Sequence, residues 1–237
     1  MTMTDLIADI SSRVLYEDNH LIILNKRPSE IVQGDKTGDK PLSEIVKEYL
    51  KEKYFKPGQV YLGVVHRVDR PVSGCLIFAK TDKALSRMNK LIQERKIRKF
   101  YWAVVKNKPP KESDKLVNYL RKNEKQNKSY PVTPSTAGAL KAELDYQVIG
   151  KTDNYYLLEV ELHTGRHHQI RAQLAAIGCP IKGDLKYGYP RSNPDASIHL
   201  HARTIEFIHP VKNEKICVIA DPPSENLWNA LLSQQKK

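Results

Sequence analysis

Cysteine is scarce in this 237-residue chain, with Cys75, Cys179 and Cys217 the whole complement and no paired spacing among them. That argues against a disulfide framework and makes a reducing cytoplasm the expected setting. No apolar run is long enough to cross a bilayer, and the first residues lack a basic stretch followed by an apolar one. Neither a membrane span nor a secretory leader is therefore expected. Compact metal-ligand patterns are missing too. His167, His168, His199, His201 and Cys179 could be assembled into a metal hydrolase, but neither paired cysteines nor a helical His-Glu-x-x-His occurs, so no metal is expected. Acidic residues are in short supply as well, 27 against 39 lysines and arginines, for a net charge of +12.

What is present is positive charge, and it suits a polyanionic partner. The bias is local. Lys80, Lys83, Arg87, Lys90, Arg95, Lys96, Arg98 and Lys99 face only Asp82 and Glu94 over the same span. The spacing of Leu85, Met88, Leu91 and Ile92 predicts a helix from Lys83 to Arg95, capped by Asp82. Its basic face is either a solvated surface or a phosphate footprint using Lys83, Arg87 and Lys90. A non-catalytic RNA-binding module would satisfy the charge equally well.

Two segments point to chemistry. In His66-Arg67-Val68-Asp69-Arg70-Pro71-Val72-Ser73-Gly74, one carboxylate sits between two arginines in a turn that feeds the apolar run Cys75–Ala79. Asp69 is either a salt-bridge partner of Arg67 and Arg70 or a nucleophile held ready on a rigid strand; a close arginine would keep it ionised. The second segment, Leu162–Leu174, reads as a Thr-Gly turn opening a helix with Ile170, Leu174 and Ile177 inward and Gly178 with Pro180 as its stop. Arg171 flanks that inward face. A buried guanidinium needs a carboxylate, and Asp69 is the natural candidate. Tyr101 lies in Phe100–Val105, where strand alternation groups it with Ala103 and Val105, as a core tyrosine would be.

HRVDRPVSG, RKFYWAVV, TGRHHQIRAQ, GCPIKGDLKYG and IHLHARTIEFIHP occur in this order from about Val14 to Pro210. Together they resemble the RluA family of RNA pseudouridine synthases. The resemblance implies that Asp69 is the catalytic aspartate, that Tyr101 lies against the target base, and that Arg171 pairs with the aspartate. It implies that Arg67 can occupy the space left by a flipped nucleotide, and Arg70 and Arg166 join the expected RNA-binding residues. Val68, Val72 and Gln173 depart from the residues frequent in the family, which bears on substrate fit rather than on chemistry. The implied reaction moves uracil from a bond at nitrogen 1 to one at carbon 5 of the base. It needs no redox step or group donor, so no cofactor is expected. An ionised carboxylate could act as nucleophile at the sugar or as base during glycal formation. The target must leave its stack and rest on an aromatic face.

At 237 residues the chain can bury a core as one large domain or two lobes. Strands are expected at Val14–Tyr16, Leu21–Asn25, Ala142–Val148, Tyr155–Leu162, Ile198–Ile208 and Lys215–Ala220, with a helix over Leu42–Tyr54 and a last one capped by Ser224. Residues 1–13 read as a lead-in and 14–237 as the catalytic domain, with 106–138, rich in Lys, Pro, Ser and Asn, a mobile insertion. The fold class is α+β, a mixed and largely antiparallel sheet with flanking helices. Because the resemblance begins by Val14, no separate N-terminal RNA-binding domain is expected. The expected partner is ribosomal or transfer RNA, with no membrane and no obligatory protein partner.

Overall fold

The computed structural model describes residues 3–34 and 37–235. In chain order its elements are α1 (Met3–Arg13), β1 (Val14–Glu17), β2 (Leu21–Lys26), α2 (Leu42–Lys53), β3 (Gly63–Val64), β4 (Ser73–Ala79), α3 (Asp82–Gln93), β5 (Arg98–Val105), β6 (Ser113–Asn123), β7 (Lys128–Val132), β8 (Leu140–Lys151), β9 (Tyr156–Leu162), α4 (Gln169–Ala176), β10 (Leu200–Ile208), β11 (Lys215–Ile219) and α5 (Asn226–Gln235). This is the α+β fold that the sequence implies. The chain divides into two compact units, Met1–Ile97 with Thr204–Asp221 and Arg98–Arg203 with Pro222–Lys237.

In the first unit β4 is the central strand, buried along its whole length. It pairs antiparallel with β2, Leu21 opposite Ala79 and Lys26 opposite Gly74, and β1 extends the pairing beyond β2. The short β3 lies on the other side of β4, with Val64 opposite Phe78. Helix α2 forms because Leu42, Val46, Tyr49 and Leu50 recur on one buried face. Residues 3–13 are more than a lead-in: they form α1, which buries Leu6 and Ile10 and packs on α2 and β2. The cap of α3 is Thr81 rather than Asp82, its hydroxyl accepting from the Ala84 N–H at 3.1 Å.

In the second unit β5, β9, β8, β6 and β7 run in antiparallel order. Alternation gives this sheet two apolar faces. Trp102, Val104 and Leu157 pack with Trp228 and Leu231 of α5, while Leu120 and Ala142 pack with Ala172 of α4 and with Tyr187. The 106–138 segment, where composition suggests a mobile insertion, is built around two regular strands. It supplies β6 and β7, and Leu116 and Leu120 are the buried residues of β6, whose exposed positions are Val117 and charged or polar residues. Pro131 is tolerated because β7 pairs on one side with β6, at an edge. Helix α5 begins at Asn226, two residues beyond the Ser224 expected to cap it.

Candidate active site

The Asp69 turn is built in the first unit by burial and by one buried cation. Val65, Val68 and Val72 are buried while Arg67 and Arg70 are exposed and Asp69 is half-buried, so the apolar residues pin the turn and leave its charges outward. The Val72 N–H closes on the Asp69 carbonyl at 3.0 Å. Gly74 follows with φ of 110°, a conformation open to glycine. His66 ties the turn to β4, its Nε2 accepting from the Ile77 N–H at 3.2 Å. Beneath the turn lies Lys26, with no exposed surface. Its Nζ donates to the carbonyls of Arg27 (2.9 Å), Asp69 (3.3 Å), Arg70 (3.1 Å) and Val72 (2.7 Å). Burial pushes its pKa down to about 8. Sequence reasoning missed Lys26, which stands at the end of an apolar run where a lysine ordinarily reaches solvent.

The arginines of the turn differ in role. Arg70 pairs with Asp39 at 2.7 Å, on the surface. Of the helix residues expected to touch phosphate, Lys83 is exposed and Lys90 lies 3.8 Å from Glu94. Arg87, the third of them, donates to the Pro210 carbonyl at 3.1 Å, a bond that ties α3 to the loop before β11.

In the second unit Tyr101 stands on β5 opposite Val160, half-buried. Lys99, two residues earlier and therefore on the same strand face, is pushed to a lower pKa by burial. Its Nζ lies close enough that a β-carbon on Gly165 would sit 3.6 Å from it. The Gly165 turn is itself fastened to β8. Thr164 Oγ1 accepts from the Glu143 N–H at 2.8 Å, and Gln169 Nε2 donates to the Glu143 carbonyl at 3.0 Å. Arg166, half-buried, donates from Nε to the Lys141 carbonyl at 2.9 Å.

Arg171 is buried, as its place on α4 requires, and it has the carboxylate that a buried guanidinium needs. Asp184 accepts from Nε at 2.7 Å and from Nη2 at 2.8 Å. The Tyr187 ring lies 5.1 Å from the guanidinium carbon. The sequence named only Asp69 for this pairing and overlooked Asp184. Gly183, φ 86°, shapes the approach, since a β-carbon there would meet the Ser197 carbonyl at 2.8 Å. His168, left-handed at φ 52°, starts α4. Burial first, and then Arg171, push its imidazole down to about 2, so it is neutral and its Nδ1 meets the Tyr187 hydroxyl at 3.1 Å. His167 stacks on it at 3.8 Å and reaches Ser129 Oγ at 2.9 Å, which fixes the β6–β7 hairpin. Gln173 bears on packing rather than substrate fit. Fully buried, it donates to Asn118 Oδ1, Leu116 O and Ala142 O, stapling α4 to β6 and β8.

Among the described residues no group of three or more His, Cys, Asp or Glu could hold a metal. His199 and His201 are engaged in packing on Trp228, with ring centroids 5.4 and 6.2 Å away. Cys75 and Cys179 are buried free thiols, and Cys217 is an exposed one. No described helix is long and apolar enough to cross a membrane.

Residues 20–176 match the family described as RNA pseudouridylate synthase. A ribosomal large subunit pseudouridine synthase C of Buchnera aphidicola (Acyrthosiphon pisum strain) is 34% identical over 94% of this chain and 72% of that protein. An uncharacterized RNA pseudouridine synthase of Synechocystis is 31% identical over 89% of the chain and 65% of its own length. The fold is that of the structure titled Human RNA Pseudouridylate Synthase Domain Containing 4, with a TM-score of 0.80 at 21% identity over 99% of this chain and 97% of that one. The chain belongs to the RNA pseudouridylate synthases, in their RluA family, and is an isomerase that converts uridine in RNA to pseudouridine.

Proposed function

We propose that the chain modifies ribosomal RNA of the large subunit, in the cytoplasm and without an obligatory protein partner, and that Asp69 is its catalytic carboxylate. The observation that carries the assignment of Asp69 is the Lys26 clamp, because a buried ammonium gripping three carbonyls of that short turn, together with the Arg27 carbonyl, gives Asp69 a fixed support. The relatives named for the large ribosomal subunit support the choice of RNA. Tyr101 stacks on the flipped uracil and Arg171 orients the carboxylate, held in turn by Asp184. Arg67, Arg70, Arg166, Lys83 and Lys90 supply phosphate contacts. Arg87 acts through the loop that it anchors.

The C1′–N1 bond breaks, the base turns, and a C1′–C5 bond forms; the proton leaving C5 is matched by one gained at N1, so nothing is added or lost. Asp69 serves as nucleophile at C1′ or as base in forming a glycal, and both roles need it ionised. The test is pseudouridine mapping of total RNA from cells with wild-type chain, with Asp69→Asn and without the gene. The same large-subunit uridine should go unmodified in the last two. Asp69→Asn protein should still bind RNA, since affinity comes chiefly from phosphates. A site lost in transfer RNA instead would overturn the choice of RNA, and turnover near the wild-type rate would remove Asp69 from its role.

A further inference from the structure

Helix α2 closes on Tyr54 with two amides turned back into the helix. The Phe55 N–H donates to the Glu52 carbonyl at 3.2 Å and the Lys56 N–H to the Lys51 carbonyl at 3.0 Å. This paired closure places the residue after the cap in the left-handed region, and Phe55 has φ of 50°. Glycine usually takes that place because a β-carbon is crowded there. A bulky aromatic is the unusual choice, and such outliers collect at functional surfaces. The ring gains nothing from folding in return, for Phe55 is 92% exposed.

Its surroundings are basic. Segment 51–56 reads Lys-Glu-Lys-Tyr-Phe-Lys. Lys51 and Lys56 are exposed and without an ion-pair partner among the described residues. The Tyr54 ring is steadied by its hydroxyl, which donates to Glu17 at 2.7 Å, and lies 4.7 Å from Lys80 Nζ and 5.5 Å from Lys53 Nζ. Glu17 binds both of those ammonium groups and sits at the end of β1, beside Ile22 of β2. The Asp69 turn rests on Lys26, at the opposite end of β2, about 13 Å away at the usual rise per residue.

We propose that the α2 terminus is a second RNA contact, in which Phe55 stacks an unpaired nucleotide of the substrate outside the target uridine while Lys51 and Lys56 hold its phosphates. An exposed ring flanked by ammonium groups is the chemistry that single-stranded nucleic acid recognises, a π-face for any base and cations for the backbone. The proposal rests on RNA being the substrate, and its test is therefore read from binding rather than turnover. The probe is a fluorescein-labelled 20-nucleotide oligouridylate.

Phe55→Gly should bind it about five- to hundredfold more weakly. It should melt no lower than wild type, because glycine adopts the left-handed position freely. Phe55→Trp should restore binding, with its exposed indole quenched by the RNA. Changing Lys51 and Lys56 to Gln should flatten the salt dependence by about 0.7 per contact. Equal binding by Phe55→Gly, or a lower melting temperature, overturns the proposal. So does a wild type that fails to bind the probe. Equal binding to free RNA with slowed modification only inside ribonucleoprotein overturns it in favour of a protein partner. A wild type that binds through Phe55 yet makes no pseudouridine in large-subunit RNA would refute the proposed function and leave this contact standing.

Discussion

Lys26→Met removes the ammonium beneath the Asp69 turn while keeping an unbranched stem of similar reach. Two energies then oppose each other. The Asp69 and Arg70 carbonyls each keep a backbone donor, the Val72 N–H at 3.0 Å and the Ser29 N–H at 2.8 Å. The loss therefore falls chiefly on the Arg27 and Val72 carbonyls. At about 1–3 kcal/mol for each buried acceptor left unpaired, this costs about 2–6 kcal/mol. Against it stands the burial of charge. A pKa lowered from 10.5 to about 8 means that keeping Lys26 protonated at neutral pH costs about 3 kcal/mol. Methionine escapes that cost, so the net effect lies between a gain of about 1 kcal/mol and a loss of about 3 kcal/mol, which leaves the protein folded. Geometry has no such compensation. A turn freed from its anchor can shift, and a displacement of about 1 Å at a reacting group can cost about a hundredfold in rate. We predict a fall in kcat of about ten- to hundredfold with KM for RNA nearly unchanged, measured by tritium release from RNA carrying uridine labelled at carbon 5, beside thermal melts. A wild-type kcat would refute the reasoning, and so would a chain that no longer folds.

Arg171→Ala strands the buried Asp184 carboxylate, and should cost about 3–5 kcal/mol; a wild-type melting temperature would show that the pair contributes nothing. Arg171→Lys keeps a charge for Asp184 but loses the planar fork, so it should recover more stability than activity. Changing Lys83 and Lys90 to Gln should lower the slope of log affinity against log salt by about 0.7–0.9 per phosphate contact. Arg87→Gln should leave that slope alone and lower stability by about 1 kcal/mol through the lost bond to Pro210. His199 is held down to about pH 3 by burial, whereas the unfolded chain takes its proton near 6.5. Its contribution is thus present above pH 6.5 and lost on acidification, about 2 kcal/mol by pH 5; melts of His199→Gln should show a flatter slope over that window, and an unchanged slope would count against it.

The elements legible in the sequence were those whose apolar pattern is uninterrupted. Runs such as Leu21–Leu24 and Cys75–Ala79 can only be buried strands, and α2 declares itself through Leu42, Val46, Tyr49 and Leu50. The β6–β7 hairpin was not legible because the two buried leucines of β6, Leu116 and Leu120, are outnumbered by charged and polar residues, so composition outweighed alternation. The short α1 was passed over because two buried residues, Leu6 and Ile10, give little periodicity to see. At the site, the requirement was readable and the Asp184 partner was not. Arg171 announces that it needs a carboxylate, yet nothing in the spacing selects Asp184, which the Gly183 turn swings into place. Lys26 was the harder case, because its role comes from carbonyls of two segments converging on one point, and carbonyls leave no mark in a sequence.

Lys26 and Asp184 do the same physical work for the residues proposed to act. Each is a buried charge that meets its partner through one part and does not take up the part that chemistry would need. Lys26 donates to the Asp69 carbonyl, not to its carboxylate, so the turn is fixed while the side-chain oxygens are not used as the anchor. Asp184 engages Nε and Nη2 of Arg171 and does not occupy Nη1. Both supports lie in the same compact unit as the residue they hold.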